Sequence, residues 1–228
     1  MRVYHFIDQK HGLLDLENRR LKVARINELN DPFEMLGADL TDTELRRILQ
    51  ASKKQASEWS GFLCFSADWT SPAQWAHYAE RHQGFCFGFD VADEDLKKIR
   101  YSDSRPKIAT DKFLNPEGFS AHAKDQLYYT KAKCWRYEDE RRVIVSFEKC
   151  EHENGLYFVP FSDDLALREV YVGAASTLPL DRLKEAMNGL DSKIIKVRPA
   201  FGTFTLTPDR RWPPEWHAPY EAYSVLEK

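Results

Sequence analysis

Lys133-Cys134-Trp135-Arg136-Tyr137-Glu138-Asp139-Glu140-Arg141-Arg142 runs straight into Val143-Ile144-Val145-Ser146-Phe147. The second half reads as an apolar strand, and the first half puts three acids and two aromatics at its mouth. If the chain is already extended at Glu138, side-chain alternation places Glu138, Glu140 and Arg142 on one side. Carboxylates at a strand entrance can serve chemistry. They can equally form a solvated edge among basic neighbours, the use that composition favours.

Working outward, strands and helices follow one another in mixed order. Val3 to Ile7 reads as a short strand, Gly12 to Arg20 as a helix and Leu21 to Ile26 as extended chain. Asn30-Asp31-Pro32-Phe33-Glu34 predicts a sharp turn, because Pro32 restricts Asp31 to extended geometry. A helix capped by Thr41 or Asp42 follows, with Leu45, Ile48, Leu49 and Trp59 on its apolar side. Gly61 to Ala67 is a strand, and Ser71-Pro72 opens a helix to His82 that stacks Trp75, Tyr78, Ala79 and His82. Phe85 to Val91 alternates completely, and the small residues Cys86 and Gly88 on its second face invite close approach by a helix, a backbone or a ligand. Asp93 to Arg100 and Pro116 to Tyr129 read as helices. Leu156 to Phe161, Arg168 to Gly173, Lys193 to Pro199 and Phe201 to Thr207 read as strands, with a helix over Pro179 to Leu190. The pattern predicts an α+β fold, one domain over residues 1–209 and a Pro/Trp-rich tail, 210–228, packed on it by Trp212, Trp216, Tyr220 and Tyr223.

With 228 residues the chain is long enough for a sizeable core. A net charge of −3 argues against holding nucleic acid by bulk charge. Local basic groups remain, among them Arg19, Arg20, Lys22 and Arg25, and Lys131, Lys133, Arg136, Arg141 and Arg142; each is also readable as a solvated face. Cys64, Cys86, Cys134 and Cys150 lack CxxC spacing and the density of a disulfide scaffold, which points to a reducing cytoplasm. No signal-type segment and no bilayer-length apolar run is evident, so no membrane partner is expected.

Most catalytic signatures are missing. The seven histidines form no HxxxH or HExxH, so no metal is expected. No P-loop, G-x-G-x-x-G or G-x-S-x-G occurs. What stays are polar residues on or beside apolar strands: His5 between Tyr4 and Phe6, Ser66 ending Phe62 to Ser66, and the Glu138/Glu140 pair. A lone His on such a strand is commonly a satisfied core residue, and a strand-terminal Ser is commonly a turn former.

Two resemblances order these residues. Asn30-Asp31-Pro32-Phe33-Glu34, Cys64-Phe65-Ser66, Trp75-Ala76-His77-Tyr78-Ala79 with Gly84-Phe85-Cys86, and Trp135-x-Tyr137-Glu138-x-Glu140-x-Arg142 are similar to a widespread bacterial family of domains of unknown function. More distantly, a His on the first strand, a Ser ending a middle strand and Glu-x-Glu at a later strand resemble the ADP-ribosyltransferase superfamily. That resemblance implies split mixed or antiparallel sheets with flanking helices, and NAD as co-substrate. It implies that His5 and Ser66, with Asn30 and Tyr78, bind the cofactor. Glu140 would bond the 2′-hydroxyl of the nicotinamide ribose, and Glu138 would orient or deprotonate the acceptor. Ser66 stands in a shortened version of the superfamily's Ser-Thr-Ser motif.

The implied chemistry is coherent. Breaking the nicotinamide–ribose bond creates oxocarbenium character, which an ionised carboxylate stabilises more in the transition state than in the ground state. Arg142 would hold Glu140 charged, while Glu138 and Asp139 push the other way. Trp135, Tyr137 and Arg142 are the candidate substrate contacts, by stacking and by charge; packing at the strand entrance is the alternative for the aromatics. The resemblance implies an intracellular toxin or phage-defence effector, restrained by an antitoxin or inhibitory protein, with nucleic acid or protein as acceptor. Two other classes stay open: a non-catalytic protein- or nucleotide-binding module, and a metal-assisted nuclease using Glu138, Asp139 and Glu140.

Overall fold

The computed structural model describes residues 1–105, 114–115 and 118–211. The expected tail with Trp212, Trp216, Tyr220 and Tyr223 lies outside them. The chain is α+β, with strands that pair mainly antiparallel. Its contacts group the residues into two compact units, each made from separated stretches, where the sequence pattern reads as one domain.

The first unit comprises Met1–Arg20, Phe65–Ala92 and the described part of Pro160–Lys228. Arg2–Ile7 pairs antiparallel with Phe85–Val91, which pairs antiparallel with Leu165–Val172; Lys193–Pro199 joins the latter in parallel and Leu206–Pro208 closes the edge. Phe85–Val91 is central and buried on both faces, with Phe85, Cys86, Phe87 and Phe89 at 0% exposure. That explains the alternation of three phenylalanines with small residues: both faces must pack. The approach that the small face invites is made by Glu169 and Tyr4, since a Cβ on Gly88 would lie 2.9 Å from Glu169 Oε2 and 3.4 Å from the Tyr4 ring. Trp75, Ala79, Cys86, Tyr171 and Val197 form the core on that side.

Several helices differ from the periodicity. The first helix starts earlier, at Gln9–Asn18, because Asp8 caps it by accepting the His11 N–H at 2.9 Å. The Ser71-Pro72 helix ends at Tyr78, one turn before His82, where Glu80, Arg81 and His82 take positive φ. That left-handed turn brings the His82 carbonyl to the Ala175 N–H at 3.0 Å. Of the expected strand Phe201 to Thr207, residues 201–205 form an irregular turn ahead of the three-residue strand Leu206–Pro208, with Phe201 and Phe204 exposed.

The second unit comprises Leu21–Cys64 and Asp93–Val159. Thr43–Trp59 is its long helix, capped by Asp42, which accepts the N–H groups of Glu44 and Leu45. Leu45 and Leu49 pack with Ala38, Ala123 and Leu127; Trp59, expected on this face, is 63% exposed. Asp93 to Arg100 is not a helix. Beyond a single turn at Asp93–Asp95 it runs as two short strands, Lys97–Lys98 and Arg100–Ser102, because Lys97 and Lys98 pair with Arg142 and Arg141 while Ile99 is buried between them. Arg100–Ser102 lies parallel to Thr130–Ala132, setting Tyr101 opposite Lys131. A shorter helix than expected, Ala121–Tyr128, precedes that strand.

Gly173 shows how tightly the first unit closes. Its N–H donates to the Gly84 carbonyl at 2.9 Å, and a Cβ there would sit 2.1 Å from the His82 carbonyl oxygen. Gly173→Ala is therefore expected to lower stability by about 1–3 kcal/mol through forced backbone displacement, the range for overpacking. Chemical denaturation of the two proteins checks it: the midpoint falls in the variant.

Candidate functional site

Glu138, Glu140 and Arg142 all belong to the second unit, and none is a solvated edge: their exposures are 6%, 3% and 0%. The segment reaches this arrangement by a route that alternation does not predict. Lys133–Glu138 is a 3-10 helix, Asp139 turns left-handed at φ 38°, and the strand begins only at Glu140. Glu138 thus rejoins Glu140 through a shared cation. Lys131 Nζ lies 2.9 Å from Glu138 Oε2 and 2.7 Å from Glu140 Oε2.

Arg142 is the centre of the cluster. Its Nε donates to Glu140 Oε1 at 2.9 Å, and Nη1 donates to Glu34 Oε1 at 2.6 Å and to the Tyr128 carbonyl at 2.7 Å. Nη2 lies 3.2 Å from Glu34 Oε2 and 2.8 Å from Glu140 Oε1. The guanidinium sits over the Phe62 ring, 4.4 Å from its centroid. A planar fork with five donors matches this demand, and lysine would not. With its donors directed at protein acceptors, Arg142 serves Glu34 and Glu140, whereas the sequence reading gave it to substrate.

The cluster's electrostatics follow from burial and pairing. Burial alone would raise the Glu140 carboxyl, but the adjacent Arg142 and Lys131 outweigh it and hold the group below the ordinary carboxylate range. Burial would lower Lys131, yet Glu140 and Glu138 raise it well above the ordinary lysine value. The Tyr101 hydroxyl accepts the Glu140 main-chain N–H at 2.8 Å, and burial pushes it up to about 12. Burial and then Glu140 push the Cys64 thiol far above its ordinary value, so it is no nucleophile. Glu140 Oε2 faces the Lys131 ammonium at 2.7 Å.

Glu34, Lys131 and Tyr101 are the members of this site that pattern reading leaves without a role. Glu34 has a signal, since it closes Asn30-Asp31-Pro32-Phe33-Glu34: Asp31 accepts the Phe33 N–H at 2.9 Å, and the turn delivers Glu34, 1% exposed, to Arg142 across 108 positions. Asn30 itself is exposed at the start of that turn. Trp135 and Tyr137 are half-buried with ring centroids 6.2 Å apart, and Lys131 Nζ lies 5.6 Å from the Trp135 ring centroid.

The remaining expected residues belong to the first unit. Ser66 is buried with its hydroxyl fully used: it donates to the Asp68 carbonyl at 2.9 Å and accepts from Asp68 N and Gln74 Nε2 at 3.0 Å each. That is the turn-forming use of a strand-terminal serine. His5 packs edge-on to Phe65 at 6.0 Å, and Tyr78 is half-buried beside His77. Among the described residues no group of three or more His, Cys, Asp or Glu is placed to hold a metal ion, and no helix is long and apolar enough to cross a membrane. Comparisons with protein-family models, curated proteins and solved structures found no match.

Removing Arg142 strands two buried carboxylates. Arg142→Met is expected to cost about 3–5 kcal/mol, the range for breaking one side of a buried ion pair. Acid acts on the same cluster. Because Glu140 has a depressed folded pKa, its contribution is fully present above the unfolded glutamate value of about 4.3 and fades as pH falls below it. Thermal melts between pH 7 and pH 3 should show a steeper acid loss for the native chain than for Glu140→Gln.

Proposed function

We propose that this chain is an NAD-dependent ADP-ribosyltransferase in which Glu140 is the carboxylate that stabilises the ribosyl cation. The observation that carries the reading is the state of Glu140: buried and held ionised between Arg142 and Lys131, with Oε2 facing the Lys131 ammonium at 2.7 Å. A carboxylate that is charged and fixed before substrate arrives needs no reorganisation as oxocarbenium character develops. In the reaction the nicotinamide–ribose bond breaks with its electron pair leaving on nicotinamide, and the acceptor nucleophile bonds the anomeric carbon. Glu138 is suited to take the acceptor's proton, since it shares Lys131 with Glu140. At 3% exposure Glu140 meets a ribose hydroxyl only when the side chains packed on it move. The α+β architecture with largely antiparallel pairing is the fold class that this reading expects.

The same burial favours a second reading, a non-catalytic binding module in which the cluster only fastens the second unit. One experiment separates them. The purified chain is incubated with NAD carrying a label on its adenylate phosphate, together with nucleic acid and with bacterial cell protein. The transferase reading expects nicotinamide release and label on an acceptor, with Glu140→Gln reduced at least 100-fold while circular dichroism shows it folded. Ligand binding without any NAD consumption by the native chain, or undiminished transfer by a folded Glu140→Gln, would falsify the assignment.

A further inference from the structure

A recess of about 170 Å³ opens in the second unit between the Phe33–Gly37 turn, the Ser102–Arg105 segment and Thr130–Ala132. We infer that it is a binding site for a nucleoside monophosphate, with the base inserted and the phosphate held at the mouth by Arg105. Size sets the first limit. The recess is smaller than the roughly 300–1,000 Å³ of sites for drug-sized ligands, so it accepts one flat ring system and leaves the rest of the ligand outside.

Its walls suit such a ring. Phe33, half exposed, and Leu36 give an apolar side, while Ser102, Asp103, Ser104, Thr130 and Lys131 give a polar edge. Aromatic faces bind bases by stacking. The Arg105 guanidinium lies over the Phe33 ring, 4.6 Å from its centroid, which orients its planar fork at the opening.

Charge then fixes the orientation. Of the two cations that line the recess, Lys131 is paired with Glu138 and Glu140, and the lining acid Asp103 is paired with Lys133 at 2.7 Å. Arg105 lines the recess, is exposed, and has no acidic partner among the described residues. Behind the floor, Glu34, Glu138 and Glu140 face Lys131 and Arg142, three negative charges against two positive. That excess repels an anion from the interior, so the neutral ring goes in and the phosphate stays out. Arginine is the residue type that matches phosphate with two parallel hydrogen bonds.

The site is tested without NAD, so it stands or falls apart from the transferase reading. The full chain is titrated with AMP, adenosine and inorganic phosphate by calorimetry, as native protein and as Arg105→Ala and Phe33→Ala, both changes at exposed positions. The expected result is saturable AMP binding at least tenfold tighter than adenosine or phosphate. Arg105→Ala should bring AMP to the adenosine level and leave adenosine unchanged, and Phe33→Ala should weaken both at least fivefold. Absence of AMP binding, phosphate binding as tightly as AMP, or native AMP affinity in Arg105→Ala would each overturn the inference.

Discussion

A guanidinium with no exposed surface, clamped between Glu34 and Glu140, is the constraint around which the second unit is organised. Such a group is tolerable only if its donors are met, because a buried charge without partners costs far more than any contact returns. Meeting them fixes three distant pieces of chain at once: the turn after Asn30, the carbonyl of Tyr128 at the end of the Ala121–Tyr128 helix, and the start of the strand Glu140–Ser146. Phe62 then covers the guanidinium face. The price is a set of carboxylates carrying more negative charge than Arg142 alone balances, which Lys131 partly offsets.

That arrangement connects stability with chemistry. Two cations keep Glu140 ionised where burial would neutralise it, and the residue's own N–H is fixed by Tyr101. A group so held serves equally as a structural anchor and as a preformed electrostatic stabiliser. The distinction lies in access to Oε2, which faces the Lys131 ammonium.

Much of the fold was legible from the chain. The complete alternation of Phe85 to Val91 marks the central strand of the first unit, and Asp42 with its apolar helix face predicts Thr43–Trp59. The errors have physical causes. Asp93 to Arg100 carries helix-compatible charges, but strand pairing of Lys97 and Lys98 with Arg141 and Arg142 outweighs that weak preference. Asn154-Gly155, with φ of 50° and 80°, closes the hairpin of Glu151–Glu153 with Leu156–Pro160, a turn signal readable in the sequence that reading by apolar runs passes over. Glu138 and Glu140 are singled out in the sequence because acids stand out beside an apolar strand. Glu34 has no role legible in the pattern, since a buried ion pair across 108 residues has no local periodicity, and Lys131 reads as one more basic neighbour of the acidic segment. Ser66 had two readings, and its filled hydrogen-bond capacity matches the turn-forming one.

The account rests on Glu140 being charged inside the protein because Arg142 and Lys131 outweigh its burial. A carbon-13 NMR titration of the glutamate carboxyl signals, assigned by comparison with Glu140→Gln, measures this directly. The account predicts that the Glu140 signal titrates below the ordinary glutamate value of about 4.3, and that Arg142→Lys, which loses the fork, moves it upward. A native Glu140 titrating at or above that value would mean that desolvation dominates, and would remove the ionised carboxylate from which both the cluster's stability and its proposed chemistry are argued.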